Sequence, residues 1–370
     1  PELGTLLTMP TTGKLDVDYH NYGSAYKDEQ STPGYYSNVL TKYGIRCEVT
    51  STMRTAVERY TFPEGQGNIL LNLGNGLTNE IGASVRQVSD TEVEGMRMLG
   101  TFCYNSDASF PMYFVMRVNK KPAQSGFWKK QPSLGAAKDS WEKYSGKYKL
   151  YVNKTRDMAG NEIGWFMSFP CKAGEQVEVQ IGVSFVSIAN ARENLNTEQP
   201  TLNFEKVKAD ARASWNEVLN RVSVKGGTEA QRRVFYTALY HTQIHPNILQ
   251  DVNGQYPKME GTETLHIDGN RYTVFSLWDT YRNLTQLQTL LFPDKEIDMV
   301  RSMIDIYKEW GWMPKWELYG RETWTMEGDP AIPIITDLYL KGFRGFDIQA
   351  AYEAFYKSAT MTSSDNLQRP

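Results

Sequence analysis

The sequence predicts a β + α protein: an antiparallel β-sandwich over residues 1–187, a helical linker over 188–225, and a run of helices over 226–370. Three observations carry this reading. Up to about residue 187 apolar side chains recur with a period near two; beyond it they recur every three or four residues; and turn and cap residues fall where those periods break.

In the first part, IRCEVTST sets Ile45, Cys47 and Val49 against Arg46, Glu48 and Thr50. QVEVQIGVSFVS does the same at greater length, with Val177, Val179, Ile181, Val183 and Phe185 on one face. NILLNL (68–73) and MYFVMRV (112–118) read as strands buried on both faces, and PGYY, GNGLTN, MAGNE and KAGE as the turns between strands. Many strands punctuated in this way describe a sandwich. The Lys-rich stretch 126–147 reads as an exposed excursion between strands.

Near residue 188 the period changes. Phe204, Val207, Ala211, Trp215 and Val218 share one helical stripe. Gly226–Gly227 closes that helix, and Thr228 with Gln231 has the spacing of a capping box that opens the next. Helical patterns follow at about 276–291, 294–310, 331–341 and 346–358.

Composition narrows the function. The formal net charge is −3, which gives no electrostatic footprint for nucleic acid. No apolar run approaches the roughly 20 residues of a membrane-spanning helix. Cys47, Cys103 and Cys171 are isolated and form neither a metal pattern nor a disulfide framework. The chain opens on Pro1, which reads as a processed or truncated start. Its aromatic count is high, with 22 Tyr and 9 Trp, and Trp278, Trp310, Trp312, Trp316 and Trp324 fall close together. Amphipathic rings in such density suit carbohydrate, whose C–H faces stack on aromatics while its hydroxyls need polar partners; large cores also use Trp.

Two segments concentrate the chemistry. In FSLWDTYRNLTQLQTLLFP, Leu277, Tyr281, Leu284, Leu287 and Leu291 form a stripe that predicts a buried helix face. Ser276 and Asp279 stand as a helix start, while Trp278 and Arg282 lie one turn apart beside the stripe. Asp279 is the expected ion-pair partner of Arg282, and the trio is a candidate grip on a ligand's hydroxyls. The second segment, GWMPKWELYGRETWTMEGDPAIP, gathers Trp312, Trp316, Glu317, Glu322, Trp324, Glu327 and Asp329 in a loop between helices. Asp329 before Pro330 reads as a helix N-cap. Glu317 sits among apolar neighbours, where carboxyl pKa values move. Carboxylates beside indoles are what glycoside hydrolysis uses. His241 and His245 lack the Glu of the zinc-protease pattern, and DVNGQY (251–256) reads as a turn rather than a calcium loop.

FSLWDTYR, LYHTQIHPN…DVNGQY, SFVSIANARENLNTE, PKWELYGRETWTMEGDP and STPGYYSNVLTKYGIRCEVTST together resemble glycoside hydrolase family 92, the calcium-dependent exo-acting α-mannosidases, over essentially the whole chain. The resemblance implies a β-sandwich followed by an (α/α)6 barrel, of which this chain would hold the first part, with the site where the two meet. It implies inversion by a Glu acid and an Asp base about 6.5–9.5 Å apart. It also implies a Ca²⁺ ion that contacts mannose hydroxyls. The family's acid and base motifs do not occur here, so both residues are expected beyond Pro370, and the metal ligands outside this chain. Motif position places Asp279 on the terminal mannose, supported by Trp278 and Arg282, with Trp316, Glu317 and Asp329 on the loop lining the pocket. Mannose-containing glycans, the missing C-terminal half of the barrel, and a periplasmic or extracellular location complete what the resemblance implies. Another helical-barrel carbohydrate enzyme, glucoamylase-like or a phosphorylase, and a non-catalytic glycan-binding fragment are the alternatives.

Overall fold

A computed structural model describes residues 5–76, 79–102, 105–131 and 147–361. Cys103 and most of the stretch 126–147 lie outside them. The chain divides into two compact units, Pro1–Gly100 with Pro111–Trp215, and Thr101–Phe110 with Asn216–Pro370. The described helices are α1 (Tyr19–Tyr22), α2 (Ile188–Glu198), α3 (Phe204–Leu219), α4 (Glu229–His241), α5 (Leu277–Thr280), α6 (Leu284–Leu291), α7 (Pro293–Trp310), α8 (Ala331–Leu340) and α9 (Ile348–Thr360).

The first unit is built on two antiparallel sheets. One has five strands, in the order Leu7–Thr12, Gly65–Asn72, Ile163–Cys171, Gln124–Lys130 and Tyr148–Val152. The other has nine, and its centre runs through Asn105–Val118, Glu175–Ser184, Thr55–Phe62 and Ile45–Ser51. Ile69, Leu71, Phe127 and Trp165 from the first sheet pack with Tyr60, Phe62, Phe114 and Val177 from the second in one dry core. Phe127 and Trp128 are fully buried, so the start of the stretch read as an exposed excursion is a core strand.

The alternation expected in Ile45–Ser51 is only half kept, because Glu48 and Thr50 on the outward face are buried too. Helix α3 covers that face. Glu48 takes the Arg59 guanidinium at 2.9 Å, Arg59 reaches Glu205 at 2.6 Å, and its plane lies 4.1 Å over the Phe204 ring. Helix α2 covers strand Glu175–Ser184 so closely that a Cβ on Gly182 would stand 2.6 Å from the Ala191 carbonyl oxygen. Only glycine fits this contact without displacement.

In the second unit the cap expected at Thr228 is present. Thr228 and Gln231 form the reciprocal capping box of α4. Pro293 opens α7, and Gly311, at φ 93°, closes it. Met299, Val300, Met303, Ile304 and Ile306 of α7 pack with Ile334, Ile335 and Leu338 of α8 and Ala350, Ala351 and Ala354 of α9.

The segment 276–291 departs from expectation. It is two helices, not one, broken at Asn283, whose φ −152° and ψ −23° are not helical. The break turns α6, so the Leu stripe is not a buried face. Leu277 is buried, Leu284 and Leu291 are half-buried and Leu287 is exposed, while Thr285, Gln288 and Thr289 face inward. Gln288 earns that place by donating to the Thr242 carbonyl at 2.6 Å.

Candidate functional site

The short turn α5 is delivered by a strand braced from beneath. Arg271, 1% exposed, donates to the Ser302 carbonyl and to Glu309 at 3.1 Å, with its guanidinium 5.2 Å from the centre of the Tyr256 ring. Glu309 also accepts from the Tyr256 hydroxyl at 3.0 Å and the Met259 amide at 2.9 Å. The Tyr272 amide donates to Ser302 Oγ at 2.9 Å. These contacts fix residues 271–272 against α7.

Glu317 continues the brace. Its buried carboxyl accepts from Thr273 Oγ1 at 2.8 Å, the Val274 amide at 3.1 Å and the Gly320 amide at 2.6 Å. Val274 has φ +66°, a costly conformation for a β-branched residue. The hydrogen bond that its amide donates to Glu317 helps to hold it there. Burial pushes the Glu317 pKa up to about 7 against these donors, and the Glu322 carboxyl adds to the rise. Phe275 and Ser276 pair with Glu317 and Trp316, which places Trp316, half-buried, one strand from α5.

Glu322 organises the loop itself. It is fully buried and accepts from four backbone amides: Lys315 at 2.8 Å, Trp316 at 2.9 Å, Thr323 at 3.0 Å and Trp324 at 3.2 Å. Its own amide donates to Glu260 at 2.7 Å. Tyr319, Trp324 and Met326 all have positive φ, so backbone strain gathers around this loop as it does at ligand sites.

On this base Trp278, Asp279 and Arg282 stand exposed, with Trp278 at 37%. Two expectations are corrected here. Ser276 makes no side-chain cap; its hydroxyl donates to Asp279 Oδ2 instead. Arg282 forms no ion pair with Asp279. It donates to the Trp278 carbonyl and spreads over two rings, 4.4 Å from the Trp278 centroid and 4.7 Å from that of Tyr281. At an exposed position an ion pair is worth little, and stacking on two aromatic faces competes well with it. Replacing Arg282 with Ala is therefore expected to cost less than about 1 kcal/mol of stability in urea denaturation. A loss above 2 kcal/mol would contradict this geometry.

Asp329 is not the N-cap of α8. Pro330 holds that position, and Asp329 Oδ2 accepts from the Ser358 hydroxyl, tying the loop to α9. The structure thus brings Trp278, Asp279, Arg282 and Trp316 to one small framework, puts Glu317 inside it as a brace, and uses Asp329 at the loop's far end. Glu260, Arg271 and Glu309 were not singled out by sequence, since these partners lie 31 to 62 residues away. No group of three or more His, Cys, Asp or Glu able to hold a metal is found among the described residues, His241 and His245 included. Residues 251–255 form a tight turn, with the Gly254 amide 2.9 Å from the Asp251 carbonyl.

The model of the glycosyl hydrolase family 92 N-terminal domain matches residues 1–184, and that of the family 92 catalytic domain matches residues 190–370. An uncharacterized secreted glycosidase of Arthroderma benhamiae is 24% identical over 350 residues, which cover 91% of this chain and 40% of that protein. A family GH92 α-mannosidase of Bacteroides thetaiotaomicron, solved also in complex with mannoimidazole, is 28% identical with a TM-score of 0.86; the match covers 98% of this chain and 49% of that one. A family GH92 inverting mannosidase of the same organism is 25% identical with a TM-score of 0.84, over 99% of this chain and 47% of that one. The chain spans about half the length of these solved relatives, and less of the fungal one.

Proposed function

The chain belongs to glycosyl hydrolase family 92, and from that membership we propose that it carries the mannose-gripping part of an exo-acting α-mannosidase that cleaves terminal α-mannosides with inversion. The observation that carries the reading is the exposed Trp278–Asp279–Arg282 turn on its buried brace, inside the catalytic-domain match. Asp279 has one oxygen on Ser276, and its other oxygen is open to a sugar hydroxyl. Arg282 covers one side of the Trp278 indole and holds its orientation. An indole fixed in this way offers a face to the apolar side of a hexose. Trp316 extends the aromatic surface, Glu317 positions the strand that feeds α5, and Asp329 anchors the loop.

Cleavage with inversion needs an acid for the leaving oxygen and a base that activates water on the opposite face of the ring. Neither role is assigned to a residue of this chain. Calcium dependence is part of the proposal as a family property. Among the described residues no group of three or more His, Cys, Asp or Glu stands together, so no step is derived through the ion.

The partners proposed are mannose-containing glycans, including N-glycans, and further barrel helices. Exposed Val234, Phe235, Leu287, Leu290, Leu340, Tyr352 and Tyr356 support the second, since apolar helix faces of this extent favour a covering partner. A periplasmic or extracellular location is proposed with the secreted fungal relative in its support. No described helix is long and apolar enough to cross a membrane.

The test is Asp279→Ala, read by calorimetric titration with mannoimidazole and by thermal melting. Loss of one hydrogen bond to a charged group is worth about 1.5–3 kcal/mol, so affinity is expected to fall about 10- to 150-fold. The midpoint should stay within roughly 2 °C, because the residue is exposed. Unchanged affinity would refute the reading.

A further inference from the structure

Behind α5 lies a cavity of about 40 Å³ whose wall includes Ser276, Leu277 and Thr280 of the α5 turn, His245, Gln288, and Glu296 from the first turn of α7. Its lining is mostly apolar, with Met299 and Met303 among the contributors. Glu296 is 1% exposed, and neither of its carboxyl oxygens has a protein hydrogen-bond partner. A polar group buried in this way is costly unless something satisfies it. The cavity has room for water, which needs only about 10–15 Å³.

We propose that Glu296 is a positioning residue for the ligand-gripping turn, acting as a neutral acid that donates through cavity water to the underside of α5. The inference rests on the reading of α5 as the mannose grip. Thr280 Oγ1 already donates to the Ser276 carbonyl at 2.9 Å, so towards the cavity it can only accept. Water that accepts from the Glu296 hydroxyl and donates to Thr280 completes the link. An ionised Glu296 puts an unpaired charge into a mostly apolar cavity, a cost that is relieved when the turn opens to solvent.

Burial pushes the Glu296 pKa up to about 8. The charged groups facing it are Lys295 on its own helix, whose Nζ donates to Gln243 at 3.2 Å, and Lys341 with Asp337 on α8, paired to each other at 2.6 Å. His245 lines the same cavity, and the buried Tyr272 phenol feels the Glu296 charge. The lysines favour the carboxylate and Asp337 opposes it, but desolvation exceeds all of them.

The test is hydrogen exchange of the Tyr281 amide, which donates to the Leu277 carbonyl at 2.9 Å and closes the turn. Because the pKa is raised in the intact state, protection should be greatest near pH 5 and fall as pH rises towards 8, by at least about tenfold between pH 6 and 8 after correction for intrinsic rates. Glu296→Gln, neutral and still a donor, should remove the slope and keep the protection. Glu296→Leu should lose protection about tenfold at pH 6 while its melting temperature holds or rises, a split that a merely structural residue would not give. A wild-type profile flat in pH, an unchanged slope in Glu296→Gln, or normal protection in Glu296→Leu would each overturn the proposal. Mannoimidazole titration of Asp279→Ala reads the grip separately: undiminished binding there defeats the sugar reading and leaves the exchange result standing.

Discussion

Replacing Glu322 with Ala is expected to lower stability by about 3–5 kcal/mol. Four backbone amides converge on this one fully buried carboxyl. Each amide left without a partner in a dry site costs about 1–3 kcal/mol, reduced by whatever relaxation and water entry the cavity allows. For a unit of this size about 2–4 °C of melting temperature accompanies each kcal/mol, so the midpoint should fall by roughly 10 °C. Glu322→Gln discriminates mechanism from volume. With its carbonyl in the Oε1 position it keeps the Trp316, Thr323 and Trp324 donors and sets its own amide against that of Lys315, so about 1–3 kcal/mol is expected. Glu327→Ala, exposed in the same loop, should stay within about 0.5 kcal/mol. Thermal and urea melts of the three variants decide it, and an Ala variant as stable as the Gln variant would contradict this account of the loop.

Replacing Glu296 with Gln is expected to change how stability depends on pH. The carboxyl is protonated in the fold up to about pH 8 and ionises near its ordinary value once the chain unfolds. The native state therefore binds the extra proton between those limits, and stability from this group is full below about pH 4.5 and is lost as pH rises through about 8. Integrated from pH 5 to pH 8, the loss approaches 3–4 kcal/mol in order of magnitude. Glu296→Gln cannot ionise, so its stability relative to the natural chain should climb by about 3 kcal/mol over that interval. Urea melts at pH 5, 6.5 and 8 measure the difference. A constant offset between the two proteins at all three values would show that Glu296 is ionised in the fold.

What could be read from sequence follows the range of the forces involved. Strand alternation, helical periodicity and helix caps act over a few residues, and the sandwich, the Thr228 capping box and the helix expected at about 294–310 were legible for that reason. Burial of Glu48 was not, because it depends on α3, more than 150 residues later in the chain, covering the outer face of the sheet. The Leu stripe of 277–291 was misread because one non-helical residue, Asn283, rotates everything after it. The expected Asp279–Arg282 pair had the right spacing, yet two aromatic faces within reach took the guanidinium. Glu317 was legible as a carboxyl in apolar company, but not its inward direction, which Thr273 and Val274 decide. Glu296 carries no local signal at all. In the first turn of a helix a Glu ordinarily reads as a solvated complement to the dipole, and only the fold places it in a cavity.

The central claim is that Trp278, Asp279 and Arg282 meet a hexose. A crystal structure of the chain with mannoimidazole examines it most directly. The expected result is a ring packed on the Trp278 indole, with a hydroxyl about 2.6–3.2 Å from the Asp279 carboxylate. Ligand density elsewhere, with Asp279 still bonded to Ser276 alone and the indole face bare, would contradict it.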